Sequence, residues 1–218
     1  MAAFAAVLFD VDGVLVDSLD AHLRILRDKA VQYGVRAEVP GPAQLKRMLK
    51  SGTVISPMIE FFRAVGFPPE LAERAERDYR SEFLTKYPSQ PYPGAQALLE
   101  RLRDAELSLG IVTSNTLANV RASLGSLFDA FDPELVFDPD HQSAPTKTIA
   151  LERAANTLRI PREQLLFVGD QVSDFNAARA SGTPFLGVSY GWVFEEGEPE
   201  MDTARSPAEV GDYALGRR

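Results

Sequence analysis

Apolar and polar positions along the chain follow two different rhythms. Short, nearly continuous apolar runs occur at residues 5–10, 107–113, 165–169 and 184–189, with a weaker one at 135–137. Each is bounded by Asp, Gly or Ser, which predicts strands buried on both faces. Between and after them the apolar residues recur at helical spacing. Leu98, Leu99, Leu102 and Ala105 form one face; Leu151, Ala154, Ala155 and Leu158 form another; Phe175, Ala178 and Ala180 belong to a third. Strands alternating with helices imply right-handed crossovers and a parallel sheet covered on both sides. The expected core is therefore α/β, a doubly wound, Rossmann-like, three-layer arrangement.

Residues 18–93 break the alternation. Leu19, Leu23, Leu26, Ala30 and Tyr33 read as one helix, and Leu45, Met48 and Leu49 as a second. Met58, Ile59, Phe62 and Val65 give a third, and Leu71, Ala75, Tyr79 and Phe83 a fourth. Four helices without a strand predict an inserted all-helical cap. The run Tyr87-Pro88-Ser89-Gln90-Pro91-Tyr92-Pro93-Gly94 punctuates its end, because proline cannot continue a helix and stiffens a linker. The predicted organisation is a core of residues 1–17 and 94–218, a cap of 18–93, and hinges near 17–18 and 87–94.

Composition narrows the chemistry. The 218 residues include 23 Lys and Arg and 31 Asp and Glu, a net charge of −8, which argues against a nucleic-acid partner. There is no cysteine, so disulfides, thiolate zinc sites and a cysteine nucleophile are excluded. Two histidines, His22 and His141, argue against a His-rich metal site or a catalytic triad. The apolar opening, Phe4 to Phe9, is too short for a membrane span and lacks the flanks of a signal peptide. A cytoplasmic protein without membrane partners, a monomer or homodimer, is expected. The charge is also uneven. Residues 18–93 hold 12 bases and 9 acids, the remainder 11 bases and 22 acids. Lys46, Arg47 and Lys50 cluster in the basic part, whereas Glu195, Glu196, Glu198, Glu200 and Asp202 read as solvated surface.

Ligands of open parallel sheets bind beyond the carboxyl ends of the strands. At those ends the sequence places Asp10 and Asp12, then Thr113-Ser114-Asn115, then Asp170 with Asp174 four residues on; Lys147 stands near the start of a helix. Two acids in one site can divide the work of nucleophile and of general acid and base. Four crowded carboxylates need a cation, and an all-oxygen ligand set without imidazole or thiolate suits Mg²⁺. One such ion and Lys147 reduce the four negative charges to one, which lets a phosphate dianion approach.

The run Asp10-Val11-Asp12-Gly13-Val14-Leu15-Val16-Asp17-Ser18 resembles the first motif of the haloacid dehalogenase superfamily, in its phosphatase form. Ile111-Val112-Thr113-Ser114-Asn115 resembles the second motif and Val168-Gly169-Asp170-Gln171-Val172-Ser173-Asp174 the fourth; Lys147, 23 residues before Asp170, stands where the third-motif lysine is expected. A helical insert after the first motif is similar to the small helical cap of phosphoglycolate phosphatases and their relatives. The resemblance implies Asp10 as nucleophile and Asp12 as general acid and base. It implies Mg²⁺ held by Asp10, Asp170, the backbone carbonyl of Asp12, and Asp174 directly or through another group. Thr113, Ser114 and Lys147 would bind the phosphoryl oxygens of a small phosphorylated metabolite. Lys46, Arg47, Lys50 and His22 are candidates for substrate selection. A sugar-phosphate mutase of the phosphoglucomutase kind would use the same residues; a non-enzymatic phospho-acceptor or binding protein is the more distant alternative.

Overall fold

The computed structural model describes residues 4–138 and 146–217. His141, expected in a solvated loop, lies outside the described residues, as do residues 143–145. Two compact units divide the chain: Ser18–Gln90, and the segments on either side of it. The chain leaves the first unit through β2 (Val16–Asp17) and returns through β3 (Gln90–Pro91).

The α/β unit begins with β1 (Ala6–Phe9) and resumes after β3 with α5 (Ala95–Asp104), β4 (Ser108–Val112) and α6 (Leu117–Leu124). These are followed by β5 (Val136–Phe137), α7 (Lys147–Leu158), β6 (Leu165–Gly169) and α8 (Val172–Ser181), then β7 (Phe185–Val188), β8 (Thr203–Ala204) and α9 (Pro207–Ala214). Six strands form one sheet in the order β5-β4-β1-β6-β7-β8, parallel throughout. Alternation along β1 shows why its residues are apolar without a break. Val7 and Phe9 pack into a cluster with Leu98, Leu102, Val120 and Val210, from the helices on one face. Ala6 and Leu8 pack with Leu151, Ala154 and Ala178 on the other. A strand buried on both faces has no polar side to show. Burying each large aliphatic side chain contributes about 1.5–3 kcal/mol. Because β1 lies between β4 and β6, the crossovers on its two sides diverge, which opens a crevice beyond its carboxyl end.

The helices α6 and α9 and the two-residue strands β2, β3 and β8 are absent from the sequence pattern; β3 adds a short strand at the end of the segment read as purely helical. The helices α6 and α9 have eight residues each, and their ends are fixed by polar caps, Thr116 and Ser206, more than by a long apolar stripe. Lys147 is the first residue of α7, whose cap Thr146 accepts the Ile149 N–H.

The second unit consists of α1 (Leu19–Tyr33), α2 (Pro42–Lys50), α3 (Met58–Ala64) and α4 (Pro69–Lys86). Its core contains Leu23, Ile25 and Leu26 of α1, Phe61 and Phe62 of α3, and Ala72, Ala75, Tyr79 and Phe83 of α4. A buried Lys29 ties α1 to α4, donating to Asp78 (2.8 Å), Glu82 (2.7 Å) and Gln32 (2.8 Å). No helix among the described residues is long and apolar enough to cross a membrane.

Candidate active site

The site grows from the end of β1. The Asp10 N–H donates to the Val168 carbonyl (2.9 Å), carrying the sheet pairing one residue past the strand. The chain then turns sharply: the Val11 carbonyl accepts the N–H groups of Val14, Leu15 and Val16, and Gly13 donates to the Val16 carbonyl. Gly13 has φ +81°, and a Cβ there would lie 2.1 Å from Asp170 Oδ2. Glycine is thus required twice over, for the turn and for the close approach of Asp170.

Asp10 is 3% exposed. Its Oδ1 accepts the Val11 N–H (2.8 Å), and its Oδ2 lies 2.8 Å from Lys147 Nζ. The same ammonium meets Asp174 Oδ1 at 2.7 Å. The other oxygen of Asp174 accepts the N–H groups of Asp170 (3.2 Å) and Gln171 (3.0 Å), so this residue caps α8 while it pairs with Lys147. Asp170, at the end of β6, is fully buried. Its Oδ2 accepts the Trp192 N–H (2.7 Å); its Oδ1 is buried with no hydrogen-bond partner among the described residues. One carboxylate oxygen from each of Asp10, Asp170 and Asp174 lies within 4.8 Å of the other two.

Three buried carboxylates beside one ammonium leave the site short of positive charge. Burial pushes Asp10 up to about 7; Lys147 pulls against this, while Asp174 and Asp12 add to it. Asp170 is raised well above the usual carboxylate range, first by burial and then by the charges of Asp174 and Asp10. Burial opposes the charge of Lys147, yet Asp10 and Asp174 together hold its ammonium above the ordinary value. Desolvated oxygens that repel one another, one of them without a donor, suit a small hard cation. Asp10, Asp170 and Asp174 are the residues that could hold it.

The phosphate-facing candidates lie past the end of β4. Thr113 is buried, donates its N–H to the Phe137 carbonyl (3.1 Å) and accepts the Asn115 N–H on its hydroxyl (3.1 Å). That hydroxyl keeps its own proton to donate. Ser114 is exposed. Asp12, half-buried, accepts a 2.8 Å hydrogen bond from Asn115 Nδ2. Asn115, Asn119 and Asp138 did not stand out as site residues in the sequence. Only Asn115 carried a signal, its place beside Thr113 and Ser114.

The remaining candidates belong to the helical unit. His22 is buried there, its Nδ1 2.8 Å from the Ser18 carbonyl and its ring 4.8 Å from that of Phe83, which makes it part of that unit's own aromatic core. On α2, Arg47 and Lys50 are exposed and Lys46 is half-buried.

The model of the haloacid dehalogenase-like hydrolases matches residues 7–188. The chain is 29% identical to an N-acetylmuramic acid 6-phosphate phosphatase of Pseudomonas aeruginosa, covering 96% of each chain. It is 31% identical to a phosphoglycolate phosphatase of Xylella fastidiosa, over 88% of this chain and 83% of that one. Among solved structures it resembles a haloacid dehalogenase-like hydrolase of Streptococcus pneumoniae, with a TM-score of 0.77 at 25% identity, covering 98% of this chain and 99% of the other. A buried acid cluster beyond the central strand of a parallel sheet, a match over most of the chain and full-length phosphatase relatives place this chain in the haloacid dehalogenase-like hydrolase family, among its phosphatases.

Proposed function

We propose that the chain hydrolyses a small phosphate monoester in two steps, with Asp10 as the group that is transiently phosphorylated. The observation that carries this reading is the buried set of Asp10, Asp170 and Asp174 around Lys147, with Asp170 Oδ1 lacking a donor. In the first step an Asp10 carboxylate oxygen attacks phosphorus, the phosphorus–ester oxygen bond breaks, and Asp12 gives its proton to the departing alkoxide. In the second, Asp12 takes a proton from water, whose oxygen attacks phosphorus and releases Asp10 and inorganic phosphate. The Thr113 hydroxyl, the Ser114 N–H and Lys147 hold the phosphoryl oxygens while charge shifts among them. Asp10 and Asp170, the Asp12 carbonyl and Asp174 would hold Mg²⁺, which supplies the positive charge this site lacks and neutralises the phosphoryl oxygens.

The two named relatives act on phosphate esters of carboxylic acids, N-acetylmuramic acid 6-phosphate and phosphoglycolate. We extend this to substrate class: a phosphorylated carboxylic acid. A cytoplasmic location fits such a metabolite. The test is phosphate release from a panel of phosphorylated acids, neutral sugar phosphates and glucose 1-phosphate, with and without chelation of divalent metal. Release from the acids, lost on chelation and restored by Mg²⁺, supports the reading. Isomerisation of glucose 1-phosphate in place of phosphate release would point to a mutase, and turnover unaffected by chelation would remove the metal from the account.

A further inference from the structure

The sequence marks Asp12 as the proton-transfer group but gives no reason for its carboxylate to stay in one place. Asp12 is half-buried at a turn, and free rotation about its side-chain bonds would spread the carboxyl over several positions. The structure supplies a constraint through Asn115. Its Nδ2 donates to Asp12 Oδ2 at 2.8 Å. The orientation of the Asn115 amide is itself determined. Its Oδ1 accepts the Thr116 N–H (2.8 Å) and Asn119 Nδ2 (2.9 Å). A backbone N–H can only donate, so the amide oxygen must face Thr116, and the NH₂ is left to face Asp12. Asn119, 2% exposed in α6, is held in turn by its helix. The start of that helix is fixed to the end of β5, where buried Asp138 accepts the Leu117 N–H (2.9 Å).

We infer that Asn115, backed by Asn119, is a positioning residue that holds the Asp12 carboxyl where it can pass its proton to the leaving oxygen. The inference rests on the proposed two-step hydrolysis and assigns it a part that the resemblance does not. In the first step the Asp12 O–H bond breaks as the new alcohol O–H bond forms. An amide donor bound to Oδ2 fixes the rotation of the carboxyl group, and with it the direction in which its proton is presented. Positioning of this kind acts on the proton transfer and not on substrate affinity.

The test exploits leaving groups. An alkyl phosphate needs its leaving oxygen protonated, whereas p-nitrophenyl phosphate expels a stable phenolate and does not. Asn115→Ala is expected to lower kcat for the best alkyl substrate about 10- to 100-fold, no more than the lower end of the ~10²–10⁴ attributable to general acid–base catalysis. KM for that substrate, and kcat/KM for p-nitrophenyl phosphate, should stay within about threefold. Asn115→Asp keeps the shape and still accepts from Thr116 and Asn119, so it should fold while losing the donor; it should show the same split. Asn119→Ala should show it more weakly. Equal losses on both substrates, or an alkyl kcat unchanged in Asn115→Asp, would overturn the positioning role. Asp12→Asn serves as the reference: if it shows no split between the two substrates, the proposed chemistry of Asp12 fails first, and the role of Asn115 falls with it.

Discussion

The two units of this chain each set a lysine between two carboxylates, and the contrast between them separates structure from chemistry. In the helical unit Lys29 donates to Asp78, Glu82 and Gln32, so its three N–H bonds are all used. Its two acids remain 24% and 23% exposed, and water disperses the surplus negative charge. In the α/β unit Lys147 meets Asp10 and Asp174 at nearly the same distances, but the side chains of those acids are only 5% and 0% exposed. A third buried acid, Asp170, stands beside them with an oxygen that no donor among the described residues reaches. The first arrangement is complete and pins two helices together. The second is electrostatically incomplete, and that deficit is what a cation and a phosphoryl group would fill. Such a site is held in place by the rest of the fold, at a cost in stability.

The largest expected effect follows from removing one charge on each side of this comparison. Asp170→Asn keeps the oxygen that accepts from Trp192 and deletes a buried charge. It should lower phosphate release by at least ~10²–10³-fold, the scale of a lost electrostatic contribution. In metal-free buffer the same variant should unfold at higher temperature than the wild type, and added Mg²⁺ should stabilise it less than it stabilises the wild type. Lys29→Met should act in the opposite sense. It leaves Asp78 and Glu82 facing each other and should lower stability in denaturant by about 1–3 kcal/mol, less than a fully buried pair because water reaches both acids. An Asp170→Asn variant that is both inactive and less stable would contradict the idea that the core cluster stores repulsion.

A smaller and sharper contrast lies in pH. Burial pushes Asp78 up, but hydrogen bonds from Lys29 and Tyr33 and the charges of Lys29 and Arg74 together hold it below the usual carboxylate range; at Glu82 the Lys29 hydrogen bond outweighs burial to the same effect. Their contribution is present above about pH 4 and is lost as pH falls through the lower folded values. Asp10 behaves in reverse. Pushed up to about 7, it takes up a proton on folding between about pH 4 and that value, so it costs stability as pH rises across this window. Metal-free protein should therefore lose stability from this group between pH 4 and 7, and saturating Mg²⁺ should flatten that slope. Lys29→Met should weaken the acid-side loss without altering the other. The smallest effect expected is at Gly191, where a Cβ would lie 2.5 Å from Asp170 Cβ and from the Gly13 carbonyl. Gly191→Ala must displace this turn, and it should weaken Mg²⁺-induced stabilisation more than it lowers the melting temperature without metal.

What the sequence reveals depends on how far apart the cooperating atoms are along the chain. Strands β1, β4 and β6 are legible because burial on both faces makes them continuously apolar. Asp10, Asp12, Asp170 and Asp174 are legible because they sit at fixed short distances past such strands. Lys147 is legible only as a lysine near a helix start whose charge the acids call for, and the resemblance adds its role; its ion pairs with Asp10 and Asp174 exist only after the sheet has formed. The Trp192 N–H that holds Asp170 could not be read at all, because every residue except proline offers a backbone donor. The same holds for Asp138, whose neighbours give no hint that it fixes the start of α6. His22, suggestive by chemistry, also has a place in the packing of the helical unit, against Phe83 and the Ser18 carbonyl, which its sequence neighbours do not reveal.

The central claim is that Asp10 carries the phosphoryl group between substrate and water. It is tested most directly in Asp12→Asn enzyme, where water activation is removed and p-nitrophenyl phosphate can still donate its phosphoryl group. After brief reaction with Mg²⁺, acid quenching and digestion, mass spectrometry should find one phosphoryl group on the peptide containing Asp10, and none when Asp10→Asn is added. A phosphoryl group on another residue, or wild-type phosphate release by Asp10→Asn enzyme, would contradict the account.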